Sequence, residues 1–306
     1  MVNGINGQKK VNLKPFERNI GYVFQNNSLF PHMKIQDNIA YGLKTLQLSK
    51  TEIKQKTNTM LEFVGLTEYA EAYPSQLSTG QQQRIALARS LATEPQVILL
   101  DEPVSAVDPQ LKETFQLELK KYLQTIKTTT IYVTHNLNEA YIIADKIAIL
   151  GKGHIEQMGN REEIFNKPQS EYVAKFTGTN ILKGKATKQQ QNNNHNYIQI
   201  ETNNNTQLIT TCTNTELIGK NVTITINPED ITLTTKKPTN TNNNITNTLQ
   251  GTITEIIQMR TTTQITVDIG FPIKAKITPT TIKKLGTTVG DTVYITLNPS
   301  TLNVFS

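Results

Sequence analysis

The sequence predicts a mixed α/β domain followed by an all-β domain. Between Leu77 and Asp108 a helical run through Ile85, Leu87, Ala88 and Leu91 leads into the apolar stretch Val97-Ile98-Leu99-Leu100, which stops at Asp101-Glu102. A short strand that is apolar on both faces belongs in a buried parallel sheet. Past Gly184 the composition changes: Asn, Thr and Ile fill the chain and acidic residues thin out. In that half one pattern occurs twice. Gly219 to Pro228 is followed by Ile231 and Leu233, and Gly290 to Pro299 by Leu302 and Val304, on the shared plan G-x-x-V-x-I-T-[IL]-N-P. Leu182-x-Gly184-x-Ala186 is echoed by Leu249-x-Gly251-x-Ile253. Repeated strand-like alternation points to two similar small β-barrels, 181–235 and 247–306, behind a first domain of 1–180.

A chain of 306 residues has room for two domains with cores of their own. The net charge is +6, but only 18% of residues are charged and no basic run alternates with aromatics, so no nucleic-acid partner is indicated. The single Cys212 excludes an internal disulfide and a cysteine-cluster metal site, and reads as a small buried apolar residue. No apolar run approaches the roughly 20 residues that span a bilayer, and the N-terminus has no signal-peptide pattern. A soluble cytoplasmic chain is expected, with any membrane association made through a partner protein.

In chain order, Met1 to Pro15 holds a turn at Gly4 to Gly7, and Arg18 to Gln25 reads as a strand running into a loop. Lys34 to Leu66 has a helical pattern. Ser49-Lys50-Thr51-Glu52 is a capping box there, and Ile53, Met60, Leu61 and Val64 share a face, as in a small helical subdomain. Ser78 starts the next helix. Leu111, Phe115, Leu119, Tyr122 and Ile126 form a stripe at helical spacing that should face the sheet. Thr129 to Thr134 reads as a second buried strand, ending at His135. Lys146 to Leu150 and His154 to Met158 form a hairpin about Gly151-Lys152-Gly153, and Arg161 to Phe176 is helical on both sides of Pro168. In the second half Val222 to Ile226 and Ile265 to Ile269 alternate as half-buried strands. Gln189 to Asn194 and Thr239 to Asn244 read as loops, and Thr278 to Leu285 as a short inserted helix.

Candidate chemistry gathers where the strands of the first domain end. Carboxylates at the C-terminal end of a parallel strand lie where open α/β sheets bind ligands. Asp101 offers the hard oxygen that Mg²⁺ prefers, and Glu102 can polarise a water for attack on a phosphate. Ser78 and Gly80 open a helix, whose N-terminal amides and dipole suit phosphate oxygens; a plain N-cap is equally compatible with Ser78. His135 can donate a hydrogen bond at the same edge, and Gln25 carries an amide that can reach a metal or water. Taken singly, a carboxylate pair meeting solvent, a structural histidine and an exposed glutamine are the plainer readings; the order of the motifs favours function.

That order resembles the nucleotide-binding subunit of ATP-binding-cassette (ABC) transporters, strongly from about Val2 to Gly178. Leu77-Ser78-Thr79-Gly80-Gln81 is similar to the signature motif, with Thr79 where the family usually has glycine. Val97 to Glu102 matches Walker B, Ser105-Ala106-Val107-Asp108 the D-loop, His135 the switch histidine and Gln25 the Q-loop glutamine. The resemblance implies an α/β P-loop NTPase domain of ABC type, here incomplete, with a helical subdomain, and ATP and Mg²⁺ as cofactors. It makes Glu102, His135 and Gln25 catalytic, Asp101 and Gln25 metal-holding, and Ser78, Thr79, Gly80, Gln81 and Asp108 nucleotide-contacting. It also implies a head-to-tail homodimer at the cytoplasmic face of the membrane. The partners would be two integral permease subunits and, indirectly, an extracytoplasmic solute-binding protein. The phosphate loop G-x-x-x-x-G-K-[ST] does not occur in the sequence, nor does the family's adenine-stacking aromatic. The chain therefore reads either as a fragment or misassigned start, or as a degenerate cassette; the chain alone should hydrolyse ATP negligibly.

The second half is similar to the OB-like accessory (TOBE) barrels of importer ATPases, a type also found in molybdate-binding proteins. Asn227-Pro228-Glu229-Asp230-Ile231 resembles their R-P-E-D-I string, and Ile277-Thr278-Pro279 through Leu285-Gly286 the molybdate-binding type. Molybdate or tungstate is the cargo this resemblance implies first, with sulfate, polyamine, ferric iron or sugar as alternatives. A soluble non-transport ABC ATPase and a catalytically dead anion-binding regulator are the other classes.

Overall fold

The computed structural model describes residues 5–6, 11–14, 17–26, 28–192, 195–211, 215–238, 246–259 and 261–306. Cys212, the loop expected over Thr239 to Asn244, and the glycines of the turn at Gly4 to Gly7 lie outside them. The chain divides into two compact units, Met1–Ala144 and Asp145–Ser306.

The first unit opens with two short antiparallel strands, β1 (Ile5–Asn6) and β2 (Val11–Asn12). Strand β3 (Ile20–Val23) follows, then α1 (Ile35–Leu43), α2 (Lys50–Phe63), α3 (Thr79–Ala92), β4 (Val97–Asp101), α4 (Pro109–Thr125), β5 (Thr129–Val133) and α5 (Leu137–Ile143). The single helical pattern of Lys34 to Leu66 is thus two helices, broken after Leu43. The expected capping box restarts the chain: the Glu52 amide donates to Ser49 Oγ (3.2 Å) and the Ser49 amide to Glu52 Oε2 (2.8 Å). Strands β3, β4 and β5 form a parallel sheet in that order, with Tyr22, Leu99 and Ile131 in register.

The two faces of this sheet differ. Val23, Ile98 and Leu100 point inward and join Ile35, Ile39, Met60, Leu61, Ile85, Leu87, Leu91, Phe115 and Leu119 in one core. On the other face Ile20, Tyr22, Ile131 and Val133 are exposed, Ile131 by 55%. Strand β5 is therefore not the buried strand its sequence suggests: among the described residues it has one neighbour and one covered face. Parallel sheets are ordinarily covered on both. The α4 stripe also needs correcting at one end. Phe115 and Leu119 are buried and Tyr122 and Ile126 pack on the core, but Leu111 in the first turn lies outside it and is exposed.

The second unit opens with the hairpin β6 (Ile147–Gly151) and β7 (His154–Gly159), then α6 (Arg161–Asn166) and α7 (Glu171–Thr177) on either side of Pro168. Ten strands and one helix follow: β8 (Asn180–Asn192), β9 (His195–Thr202), β10 (Gln207–Thr210), β11 (Asn221–Ile226), β12 (Thr232–Thr234), β13 (Asn247–Gln258), β14 (Thr263–Asp268), β15 (Pro272–Ile277), α8 (Pro279–Leu285), β16 (Thr292–Leu297) and β17 (Asn303–Phe305). The polar run from Gln189 to Asn192, expected as a loop, continues β8 and pairs with β9. Backbone pairing with β9 can hold a strand whose residues are polar.

The repeats do not close on themselves. One five-stranded sheet runs β10-β9-β8-β11-β17 and the other β12-β16-β13-β14-β15. Each repeat keeps four strands and lends its last to the other: β17 pairs with β11, and β12 with β16. One core holds Ile198, Ile200 and Ile224 of the first repeat with Ile265, Val267 and Ile295 of the second. Two buried asparagines at equivalent places tie the halves. Asn180 accepts from the Lys274 amide (2.8 Å) and donates to its carbonyl (2.8 Å). Asn247 does the same with Ile209 (2.7 and 2.8 Å). Each carboxamide stands in for a strand partner of the opposite sheet.

Candidate functional site

The site forms at the C-terminal ends of β3, β4 and β5, where the strands hand over to loops. Glu102 follows β4 directly. Its backbone sits at φ 46°, the left-handed region, which costs a non-glycine residue about 1–3 kcal/mol and persists only where surrounding contacts fix it. Those contacts are present. The Glu102 amide donates to the Val133 carbonyl (3.0 Å), and the Glu102 carbonyl accepts from the Ser105 amide (3.2 Å) and Ser105 Oγ (3.0 Å). The resulting turn aims the carboxylate across the sheet edge.

His135, just past β5, meets that carboxylate: Nδ1 donates to Glu102 Oε1 at 2.7 Å. Gln25, just past β3, donates from Nε2 to the other oxygen, Oε2, at 3.3 Å. The three residues proposed from sequence as catalytic are thus in direct contact, with Glu102 in the middle. The His135 side chain is 78% exposed and that of Glu102 22%, so the carboxylate is held from beneath while its imidazole partner faces solvent. The loop carrying His135 has its own support. Glu139 is buried and accepts from Tyr132 Oη (3.1 Å) and Thr134 Oγ1 (2.9 Å) while pairing with Lys112 Nζ (2.6 Å). Burial, and then the Glu139 charge, push the Tyr132 phenol far above its ordinary range.

The signature residues lie at the start of α3. Ser78 caps the helix, its Oγ accepting from the Gln81 amide (3.3 Å) while Gln81 Oε1 accepts from the Ser78 amide (2.9 Å). Ser78 and Gln81 are therefore engaged with each other. Thr79 opens the helix without a positive φ, so a side chain there carries no backbone penalty. Gly80 has a different reason to be glycine: a Cβ would lie 2.4 Å from the Ala106 carbonyl oxygen. Asp108 is the N-cap of α4, accepting from the Gln110 amide at 2.8 Å. The signature group does not join Glu102, His135 and Gln25 around a common point; it approaches them through the turn at Ser105-Ala106.

A residue that sequence reasoning missed sits at that junction. Gln83, on α3, is 1% exposed and its carboxamide is fully used. Nε2 donates to the Glu102 carbonyl (2.8 Å) and to Ser105 Oγ (3.2 Å), and Oε1 accepts from the Ala106 amide (2.9 Å). Among three successive glutamines nothing in the sequence marks this one, except that its position falls on the same helical face as Leu87 and Leu91.

Among the described residues no cluster of three or more His, Cys, Asp or Glu converges on a metal position. Mg²⁺ does not require one, since it binds through one or two carboxylates together with phosphate oxygens and water. The Asp101 carboxylate and Gln25 amide supply oxygens of that kind. A nucleotide's phosphates find no glycine-rich cradle in this sequence.

A carboxylate flanked by an imidazole and an amide at a parallel-sheet edge, beside a capped glycine-containing helix start, is the arrangement that the resemblance to an ATP-binding cassette leads one to expect. Residues 2–105 match the ABC transporter family and residues 243–304 the TOBE domain. The spermidine/putrescine import ATP-binding protein PotA of Clostridium novyi (strain NT) is 48% identical over 178 residues, 58% of this chain and 51% of that protein. PotA of Thermobifida fusca (strain YX) is 37% identical over 264 residues, 86% of this chain and 66% of that protein. The sulfate/thiosulfate import ATP-binding protein CysA of Nocardia farcinica (strain IFM 10152) is 42% identical over 174 residues, 57% of this chain and 53% of that protein. The chain spans between half and two thirds of the length of these relatives. It belongs to the ABC transporter ATP-binding family, in the group that carries a C-terminal TOBE domain.

Proposed function

We propose that the chain supplies the hydrolytic and signature elements of an importer ATPase, working as a head-to-tail pair beneath two membrane permease subunits at the cytoplasmic face. The reading places the ATPase elements in 1–180 and the accessory domain in the two repeats 181–235 and 247–306, which exchange their last strands. One observation carries it: Glu102 is held between His135 and Gln25 with its backbone locked in a left-handed turn. A carboxylate fixed in that way can orient a water and accept its proton, while His135 steadies the charge and Gln25 defines the approach from the β3 side. Asp101 and Gln25 would hold Mg²⁺, which neutralises phosphate charge when bound. Ser78, Thr79, Gly80 and Gln81 present a helix N-terminus for phosphate oxygens of the opposing subunit's nucleotide, with Asp108 alongside.

Polyamines are the cargo this reading favours, supported by relatives named for spermidine and putrescine import, one of them aligned over 86% of this chain. Molybdate or tungstate, suggested by the Ile277-to-Gly286 string alone, finds no support among these relatives. The test is made in the host cell, with Glu102→Gln placed in the gene. Uptake of labelled spermidine and putrescine is expected to fall to background while uptake of sulfate and molybdate is unchanged. Unchanged uptake of all four, and of ferric iron and sugars as well, would overturn the importer reading; loss of any of these other solutes alone would move the cargo.

A further inference from the structure

We propose that Gln83 is a positioning residue that locks the catalytic turn, Glu102 to Ala106, onto the signature helix α3, so that the placement of α3 sets the aim of Glu102. The consequence for turnover rests on the function proposed above; the geometry does not.

Two independent contacts make the coupling. The first is the Gln83 carboxamide. It sits inside the protein with both of its polar atoms satisfied by one short segment: the carbonyl of Glu102, the hydroxyl of Ser105 and the amide of Ala106. A single side chain therefore spans the turn from its first residue to its fifth. The second is the contact of Gly80 with Ala106, where the two backbones approach so closely that a Cβ would have to displace a carbonyl oxygen. These contacts fall at the first turn of α3 and one turn on. The helix is consequently docked on the turn along its N-terminal half, not at one point.

The turn cannot absorb a shift of α3 by relaxing, because it is pinned on its other side as well. The Glu102 amide donates to the Val133 carbonyl, which ties it to β5 two residues before His135. The left-handed backbone of Glu102 turns its side chain over the sheet edge, where His135 and Gln25 hold the carboxylate. Losing the Gln83 contacts leaves the Glu102 carbonyl held only from within the turn, by the Ser105 amide and hydroxyl, so the turn can shift against α3 and the carboxylate moves with it. An engagement that rocks the start of α3 is thus transmitted through Gln83 and Gly80 to a carboxylate within the same subunit. By this route the element that meets the opposing subunit also governs the hydrolytic group of its own.

Neighbouring Gln82 provides the control. Its Nε2 donates to the carbonyls of Pro74 (2.9 Å) and Leu77 (3.1 Å), so its hydrogen bonds fix the approach to α3 and not the turn. In the purified 306-residue chain labelled with ¹⁵N-histidine, the His135 ring signals, assigned through His135→Gln, report the contact with Glu102. Gln83→Met, which keeps length and loses every hydrogen bond, is expected to shift those signals toward the values found in Glu102→Gln. Gln82→Met is expected to leave them in place. Ser105→Ala, which removes one contact of Gln83 together with the hydroxyl's own bond to the Glu102 carbonyl and leaves the other two Gln83 bonds in place, is expected to move them a smaller distance in the same direction. His135 signals unmoved in both a folded Gln83→Met and Ser105→Ala would overturn the proposal, as would equal shifts in Gln82→Met. In the host, Gln83→Met is expected to lower uptake about 10–100-fold, the usual effect of misplacing a reacting group by about an ångström. If the ring signals move and Glu102→Gln leaves uptake intact, the coupling stands and the importer reading falls.

Discussion

The unequal faces of the β3-β4-β5 sheet lead to a paired prediction. Ile98 is 0% exposed in the middle of β4, and Ile131 is 55% exposed in the middle of β5. Truncating a fully buried isoleucine removes its burial and leaves a cavity, so Ile98→Ala is expected to cost about 2–5 kcal/mol. Ile131 has less than half of its surface covered. Complete burial of such a side chain is worth about 1.5–3 kcal/mol, so Ile131→Thr, which keeps the β-branch, is expected to cost about 1 kcal/mol. Urea unfolding followed by the far-ultraviolet helical signal measures both, since α1 to α4 pack on the inner face beside Ile98. The ratio decides the matter. A cost for Ile131→Thr equal to that of Ile98→Ala would mean that the outer face is covered in solution, and the asymmetry described above would be wrong. A cost for Ile98→Ala under about 1 kcal/mol would remove Ile98 from the core.

Four further outcomes are expected. The purified chain should turn over Mg-ATP at background rate, because its sequence holds no G-x-x-x-x-G-K-[ST]; turnover that disappears in Glu102→Gln would refute this. Lys112→Met leaves the Glu139 carboxylate buried with only hydroxyl donors, and should destabilise by about 3 kcal/mol in chemical denaturation, part of which Glu139→Leu in the same chain restores. Asn247→Leu strands the amide and carbonyl of Ile209 and should cost about 2–4 kcal/mol in thermal unfolding, far more than a surface Asn→Leu. The Tyr132 phenol, raised first by burial and then by Glu139, should stay protonated while exposed tyrosines ionise. The stability it contributes is complete below the unfolded phenol's pKa of about 10 and is lost as pH climbs from there toward the folded value. An ultraviolet titration of the parent chain against Tyr132→Phe that shows one tyrosinate fewer in the variant at moderately alkaline pH would contradict it.

What could be read from the sequence was what repeats locally or follows a spacing rule. The apolar β4 run, the capping box at Ser49, the N-cap at Ser78 and the α8 start at Thr278 all obey short-range rules, and all appear where the pattern places them. Glu102, His135 and Gln25 were legible because each ends a strand, and neighbouring parallel strands bring their C-terminal ends together. Features that depend on what lies across space were not legible. Ile131, Tyr132 and Val133 read as part of a central strand, and β5 is an edge because no strand pairs on its outer side among the described residues. The Gln189-to-Asn192 segment is polar enough for a loop, yet its backbone finds β9. Gln83 differs from Gln82 only by the rotation of one residue on the helix, which turns it from the approach loop to the catalytic turn. Glu139 likewise looks like an ordinary charge in the first turn of a helix until the fold surrounds it with Tyr132, Thr134 and Lys112.

The lending of β12 and β17 between the two repeats has a further meaning. A polypeptide ending after Thr234 would carry β12 with no sheet to join and leave the edge of β11 bare, and the same holds in mirror fashion for β17 and β16. Bare edges seek partners of matching register, and the best match for either half is another copy of itself. An isolated repeat is accordingly expected to assemble as a domain-swapped dimer, each copy completing the other's sheet. Joining two repeats in one chain turns that bimolecular event into an internal one, with an effective concentration that the cell could not reach by synthesis alone. Duplication here does not produce two modules side by side; it encloses a dimer within a single chain.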